Sequence, residues 1–175
     1  MLKNVQKLTL ASLFIAIGTA TGQLLYIPLG PSKIFPVQHF INVVASVLLG
    51  PYYSIACAFL ISLLRNMLGT GSLLAFPGSM IGAGLAGLLF LKTRKSGWAA
   101  IGEVFGTGII GALVSYPIAK LLYGMEIAAF YFILPFSLST MVGSLIAYIF
   151  LKSLRFRRFR PNASLDERKT SDFQG

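Results

Sequence analysis

Apolar residues along the chain form long runs that are separated by short polar or proline-rich segments. Such runs predict membrane helices, because a helix needs roughly 20 apolar residues to cross the hydrocarbon layer. We place six predicted spans at about residues 8–27, 39–49, 52–68, 73–91, 98–123 and 128–151. The segment PLGPSKIFPVQ after the first span holds three prolines and one glycine, and this composition predicts a loop.

The dipeptide Gly50-Pro51 leaves the number of spans open between five and six. Residues 40–64 could form one helix that is kinked at Pro51, since membrane helices tolerate proline better than soluble helices do. Either number predicts an all-α integral membrane protein with one domain, residues 1–151, followed by a basic tail, residues 152–175. We expect part of that tail to be disordered, because it is rich in charged and polar residues.

Composition supports a membrane protein. The chain is 55% hydrophobic and 11% charged, with a mean hydropathy of +0.77. Soluble domains are typically about 45–50% apolar and about 25% charged. A soluble core of this size cannot absorb so much apolar surface, so we expect the chain to lie in the cell membrane as a multi-pass protein.

The formal net charge of +10 does not indicate a nucleic-acid partner, because the basic residues lie between and after the apolar runs. Lysine and arginine are enriched in cytoplasmic loops. Six spans with the N-terminus inside place twelve cations inside and three outside, whereas five spans with the N-terminus outside place eleven and four. These ratios barely differ, but both topologies put the tail and the loop at Lys92 in the cytoplasm.

The sequence lacks motifs for catalysis or for nucleotide binding. There is no G-x-x-x-x-G-K-[ST] loop for ATP phosphates and no G-x-S-x-G nucleophile elbow. A single histidine, His39, cannot build a multi-histidine metal site. We therefore expect no enzyme activity, no cofactor and no metal, and we expect any uphill transport to draw its energy from a partner.

Small residues form a stripe on the first span. Ser12, Ala16 and Ala20 follow one another at intervals of four, which places them on one face of a helix. Such a stripe lets another helix approach closely in lipid. From spacing alone, packing against the chain's own helices is favoured over docking of a partner.

Polar side chains gather near one end of the predicted spans, which is the outer end in the six-span topology. Buried polar groups in a membrane need partners or a wet cavity, so this gathering predicts a pocket under the proline-rich loop. In the alternative interpretation the tyrosines form an interfacial belt and Asn42 and Asn66 only tie helices together. Glu103 lies well inside the fifth span, and we interpret it as a helix tie or partner contact outside the pocket.

Two strings carry a family resemblance. LGPSKIFPVQHFINVVASVLLGPYYS (residues 29–54) and LLRNMLGTGSLLAFPGSMIGAGLAG (residues 63–87) resemble ThiW, a substrate-binding S component of the energy-coupling factor (ECF) transporters. The similarity covers about residues 8–151. It implies a six-helix S-component bundle with both termini cytoplasmic, and a coupling protein and two ATPases as partners. It also implies that the A-x-x-x-A stripe, here Ala16 and Ala20, docks on the coupling protein.

The resemblance further implies a thiamin-related precursor as the substrate, with hydroxyethylthiazole as the leading candidate. A neutral aromatic alcohol needs a ring-stacking face and a few hydrogen-bonding groups. Thiamin would favour a carboxylate or several aromatic faces, and a phosphorylated ligand would recruit Lys33 or Arg65. The alternatives are an S component for thiamin or another small heterocycle and a non-transporting assembly subunit. The residues expected to contact the ligand are Phe35, Gln38, His39, Asn42, Arg65, Asn66, Phe76, Ser79, Tyr116 and Tyr131.

Overall fold

The computed structural model describes residues 4–24, 26–29, 32–126 and 128–158. Six helices make up nearly all of this part, and they confirm the predicted all-helical fold. They are α1 (Asn4–Leu24), α2 (Pro36–Leu48), α3 (Pro51–Met67), α4 (Ala75–Thr93), α5 (Ser96–Tyr123) and α6 (Ile133–Arg158). The predicted tail from residue 159 onward lies outside the described residues.

The predicted loop after the first helix contains a short antiparallel hairpin, β1 (Ile27–Leu29) and β2 (Ser32–Ile34), in which Ile27 pairs with Ile34. The first span was expected to run to Ile27, so this expectation was wrong by three residues, because α1 ends at Leu24. Pro28 explains the early end, since proline disfavours a helical conformation of the residue before it.

Gly50 separates α2 from α3. Its φ is +92°, a region that residues with a Cβ rarely adopt. Pro51 follows as the first residue of α3, where its missing N–H would have no helical partner in any case. The single kinked helix is therefore excluded and the six-helix alternative is confirmed.

Four of the described helices are long and apolar enough to cross a membrane, namely Asn4–Gly22, Ala75–Thr93, Ser96–Tyr123 and Ile133–Leu154. The helix α2 is apolar but has only 13 residues. At about 1.5 Å per residue it covers roughly 20 Å, whereas the hydrocarbon core is about 30 Å thick. The last helix runs to Arg158, beyond the predicted end at residue 151, because no proline or glycine interrupts it there.

Large apolar side chains cover the outside of the bundle, while small and polar side chains fill its inside. On α6, Leu145 is 59% exposed and Ile149 is 58% exposed, whereas Thr140 on the same helix is fully buried. Ser46 and Ser54 are also fully buried, and they share a hydrogen bond of 2.8 Å. Membrane helices pack in this way because lipid solvates large apolar groups and small residues let backbones approach closely.

Glycines bring α4 and α5 into backbone contact. A Cβ added at Gly106 would lie 2.7 Å from the Cα of Gly82, and one added at Gly102 would lie 2.9 Å from the Cα of Ala86. A third contact joins Gly111 to Gly78. On α5 the last interval is five residues rather than four, and the π-helical segment Gly106–Gly111 accommodates it, because a π turn holds an extra residue.

We predict that Gly106→Ala lowers the stability of the folded bundle by about 1–3 kcal/mol, because the added methyl meets backbone that cannot move aside without separating α4 from α5. Thermal unfolding of the purified protein in detergent measures this loss. Gly97→Ala is the matched control, since its Cβ would meet only the ring of Tyr148 at 3.6 Å. Equal melting temperatures for the two variants would contradict the close packing of α4 on α5.

Candidate functional site

A cavity of about 440 Å³ opens at the end of the bundle where α2, α4 and α6 begin. Its wall combines the start of α2, the end of α3, the connection to α4, the start of α4 and the start of α6. Thr107, from the π-helical segment of α5, also contributes to the wall. Helix ends supply most of this wall, which explains why polar residues cluster there in the sequence.

The structure brings six of the ten predicted ligand-contacting residues to the cavity wall: Phe35, Gln38, His39, Arg65, Ser79 and Tyr131. The other four do not line it. Asn42 is fully buried beneath the wall, Asn66 donates to the carbonyl groups of Ser62 and Ser72, Phe76 packs on the ring of Phe59, and Tyr116 lies elsewhere on α5. For Asn42, the alternative interpretation of a helix tie describes the observed contacts, whereas Asn66 bonds within α3 and to the connection that follows it.

Arg65 is the cation among the described residues of the cavity wall, and it is only 2% exposed. Its guanidinium carbon lies 3.8 Å from the centre of the Phe35 ring. One Nη donates to Oε1 of Gln38 and the other donates to the backbone carbonyl of Thr70 at 3.2 Å. Among the described residues no carboxylate pairs with Arg65, so these contacts hold a buried positive charge beside the cavity.

Glu103 lies behind the cavity wall with no exposure to solvent. Its Oε1 lies 2.8 Å from Nδ1 of His39, 2.9 Å from Nδ2 of Asn42 and 3.1 Å from Oγ1 of Thr107. The carboxylate thus ties α2 to α5, which agrees with its interpretation as a helix tie outside the pocket. It also fixes His39 and Thr107, which do line the cavity.

A series of hydrogen-bonded residues connects Arg65 with Glu103. From Gln38, the amide nitrogen donates to the hydroxyl of Ser62 at 2.9 Å, and that hydroxyl lies 3.1 Å from the hydroxyl of Ser79. The amide of Asn42 then bridges the Ser79 carbonyl, at 3.2 Å, and Glu103. One positive and one negative group therefore stand at the two ends of a single polar network.

The side of the cavity formed by the start of α6 is aromatic. Of its rings, Tyr131 was predicted from the sequence, whereas Phe132 and Phe136 were not. Phe132 packs against both Tyr131 and Phe136, with ring centroids 5.3 Å and 5.7 Å apart. Ser139, further along α6, accepts a hydrogen bond of 3.0 Å from the backbone N–H of Phe35. The spacing of Phe132, Phe136 and Ser139, at i, i+4 and i+7, is the signal that could have identified one inward face of the last helix.

The chemistry of the wall is that of a binding site. None of its described residues is Asp or Glu, and no group of three or more His, Cys, Asp or Glu side chains that could hold a metal occurs in the part of the chain that the structure describes. Aromatic rings, hydroxyls, one amide, one imidazole and one guanidinium suit a small aromatic ligand with a polar substituent.

The stripe on α1 lies on the outside of the bundle. Ser12, Ala16 and Ala20 are all exposed, whereas Gly18 and Gly22 on the opposite face pack against α3. Packing against the chain's own helices, which the spacing alone favoured, is therefore not the role of this stripe. An exposed row of small residues leaves a flat surface on α1.

No curated protein matches the chain. The family model described as "Thiamine-precursor transporter protein (ThiW)" matches residues 8–157. That range includes every described residue of the cavity wall, the network behind it and the α1 stripe. Because the match covers most of the sequence, the chain belongs to the ThiW family of thiamine-precursor transporters.

Proposed function

We propose that the chain is the substrate-specificity subunit of an ECF transporter and that it binds hydroxyethylthiazole in the cavity. The family is one of transporters and not of enzymes. Within this role the chain recognises the precursor, and a coupling protein with two cytoplasmic ATPases supplies the energy. The substrate and the partners are proposals that go beyond family membership.

One observation carries the choice of substrate: the wall holds the buried cation Arg65 and no described carboxylate. Thiamin has a permanent positive charge, and placing that charge beside a buried guanidinium without a carboxylate in the wall would be costly. A neutral thiazole avoids this repulsion. Its ring can stack against the aromatic wall of Phe132 and Phe136, and its hydroxyl can bond to the polar side of the cavity.

The topology with both termini in the cytoplasm agrees with the position of the charges. Lys92, Arg94 and Lys95 lie where α4 ends and α5 begins, at the end of the bundle opposite the cavity. Cytoplasmic loops carry most of the lysine and arginine of a membrane protein. The cavity would then open to the outside, where a nutrient is captured.

The need for a partner follows from what the sequence lacks and from where α1 is exposed. The chain has no nucleotide-binding loop, so it cannot by itself drive a substrate uphill. The stripe of Ser12, Ala16 and Ala20 offers an uncovered surface on which a helix of the coupling protein could pack. Movement of α1 on that partner would reset the substrate site.

We predict that the purified protein binds hydroxyethylthiazole at least about tenfold more tightly than thiamin, because only thiamin brings a second positive charge close to Arg65. Calorimetric titration in detergent with hydroxyethylthiazole, its phosphate ester and thiamin measures the order of affinities. Tighter binding of the phosphate ester would assign an anionic substrate to Arg65. Tighter binding of thiamin would refute the proposed substrate, and absence of binding by all three compounds would favour an assembly subunit.

We predict that Ala16→Trp abolishes uptake of thiazole by cells that contain the ECF module while the affinity of the purified protein stays within about twofold. A bulky side chain on the stripe would prevent close approach of the partner helix, and the cavity lies elsewhere.

Ile17→Trp is the matched control, because Ile17 is 42% exposed but points about 100° away from Ala16 around the helix. Normal uptake by the Ala16 variant, or an equal loss in both variants, would refute the assigned contact surface.

A further inference from the structure

We propose that Glu103 holds His39 in a single tautomer that presents Nε2 to the cavity as a hydrogen-bond acceptor, so that the site selects precursors that carry a hydroxyl group. The inference deepens the proposed function and rests on it for the identity of the ligand. It assigns His39 as a specificity-determining residue and Glu103 as a positioning residue that does not touch the ligand.

Of the two ring nitrogens of His39, Nδ1 is hydrogen-bonded inside the protein and Nε2 is available to a ligand. Nδ1 lies 2.8 Å from Oε1 of Glu103. His39 lines the cavity, and its side chain retains about 10% exposure. Nε2 makes no hydrogen bond with the residues that the structure describes and is not among the buried atoms without a partner. It is therefore the polar atom that the ring offers to the cavity.

The proton between His39 and Glu103 can be located from the hydrogen bonds of Asn42, which contacts both Glu103 and the backbone carbonyl of Ser79. A carbonyl oxygen only accepts, so the Asn42 side-chain atom that lies 3.2 Å from the Ser79 carbonyl must be the amide nitrogen. That nitrogen donates to Oε1 of Glu103 at 2.9 Å. Oε1 thus accepts from Asn42, and with the carboxylate ionised opposite Arg65 the proton shared with His39 belongs to Nδ1. In a neutral imidazole Nε2 then carries a lone pair.

Charge balance favours the neutral imidazole. The described charged and titratable side chains of the network are Arg65, which stays protonated, together with Glu103 and His39. With His39 neutral, the guanidinium and the carboxylate cancel. A protonated His39 would leave one net positive charge buried in the bundle, and burying an uncompensated charge is expensive.

The hydroxyls beside His39 are less available to a ligand. The hydroxyl of Thr107 lies 2.9 Å from the carbonyl of Gly78, and that of Ser79 lies 3.1 Å from the hydroxyl of Ser62. A free acceptor that faces the cavity should disfavour ligands without a donor, because the acceptor then loses its water without gaining a partner. The hydroxyl of a thiazole alcohol supplies that donor.

The first test observes the tautomer without any ligand. His39 is the sole histidine of the sequence, so nitrogen-15 labelling of histidine gives two ring signals of one residue. In the full chain, in lipid nanodiscs at neutral pH, we expect a protonated Nδ1 and an unprotonated Nε2. Glu103→Leu should give a mixture of tautomers, because it removes the acceptor that holds the proton on Nδ1. An Nε2–H tautomer or an imidazolium in the unsubstituted protein would overturn the inference.

The second test compares two ligands of similar shape, hydroxyethylthiazole and the chloroethyl analogue in which chlorine replaces the hydroxyl. We expect the alcohol to bind about tenfold more tightly, as one lost hydrogen bond at a buried acceptor implies. Addition of the alcohol should also shift the Nε2 signal. Glu103→Leu should bring the ratio of affinities toward one. Phe136→Leu is the control, because it should weaken both ligands in parallel and keep the ratio.

The outcomes separate the inference from the proposed function. Equal affinities for the two ligands in the unsubstituted protein would overturn the inference while thiazole binding itself stands. If neither thiazole binds but Nε2 is unprotonated, the proposed substrate is wrong and the assignment of an acceptor nitrogen at His39 stands. Both tests use the unsubstituted protein first, so a variant that fails to fold does not prevent a decision.

Discussion

The fully buried carboxylate of Glu103 constrains the rest of the structure. An acidic group inside a membrane bundle must find its partners within the protein, and here α2 and α5 meet around it. Gly82 of α4 completes the enclosure, because a Cβ at that position would lie 2.7 Å from Oε2 of Glu103. The absence of a side chain at Gly82 therefore leaves room both for the close packing of α4 on α5 and for the carboxylate of Glu103. Together they hold His39 and Thr107 at the inner side of the cavity.

The same polar network links the cavity to the helix that carries the small-residue stripe. Arg65 stands at the far end of the network from Glu103, and its side chain packs on Gly22 of α1, where a Cβ would approach Nε to 2.5 Å. A ligand can shift the position of a helix only by binding its alternative positions with different affinity. In this protein Arg65 of the cavity wall contacts α1 directly. A ligand that contacts Arg65 can therefore favour one position of α1 over another.

Sequence reasoning identified the parts of the site that lie at helix ends. Polar residues near the outer ends of the predicted spans, such as Gln38 and Arg65, were assigned to one pocket, and the structure places them in one wall. The sequence did not show which face of a helix points into the cavity. Asn42 lies on the same helix as His39 but faces Glu103 and the backbone of Ser79, so it supports the wall from behind.

The chain's apolar runs and prolines determined by themselves that it forms five or six helices suited to a membrane, and the backbone of Gly50, with its φ of +92°, decided for six. These features act locally, through helix length, proline sterics and transfer of apolar surface. Only the tertiary structure decided which side of each helix faces inward. Lipid and protein interior are both apolar, so hydrophobicity cannot distinguish Phe132, which lines the cavity, from Leu134, which is 65% exposed. The partnership of His39 with Glu103, 64 residues apart, likewise required the close crossing that the glycines of α4 and α5 permit.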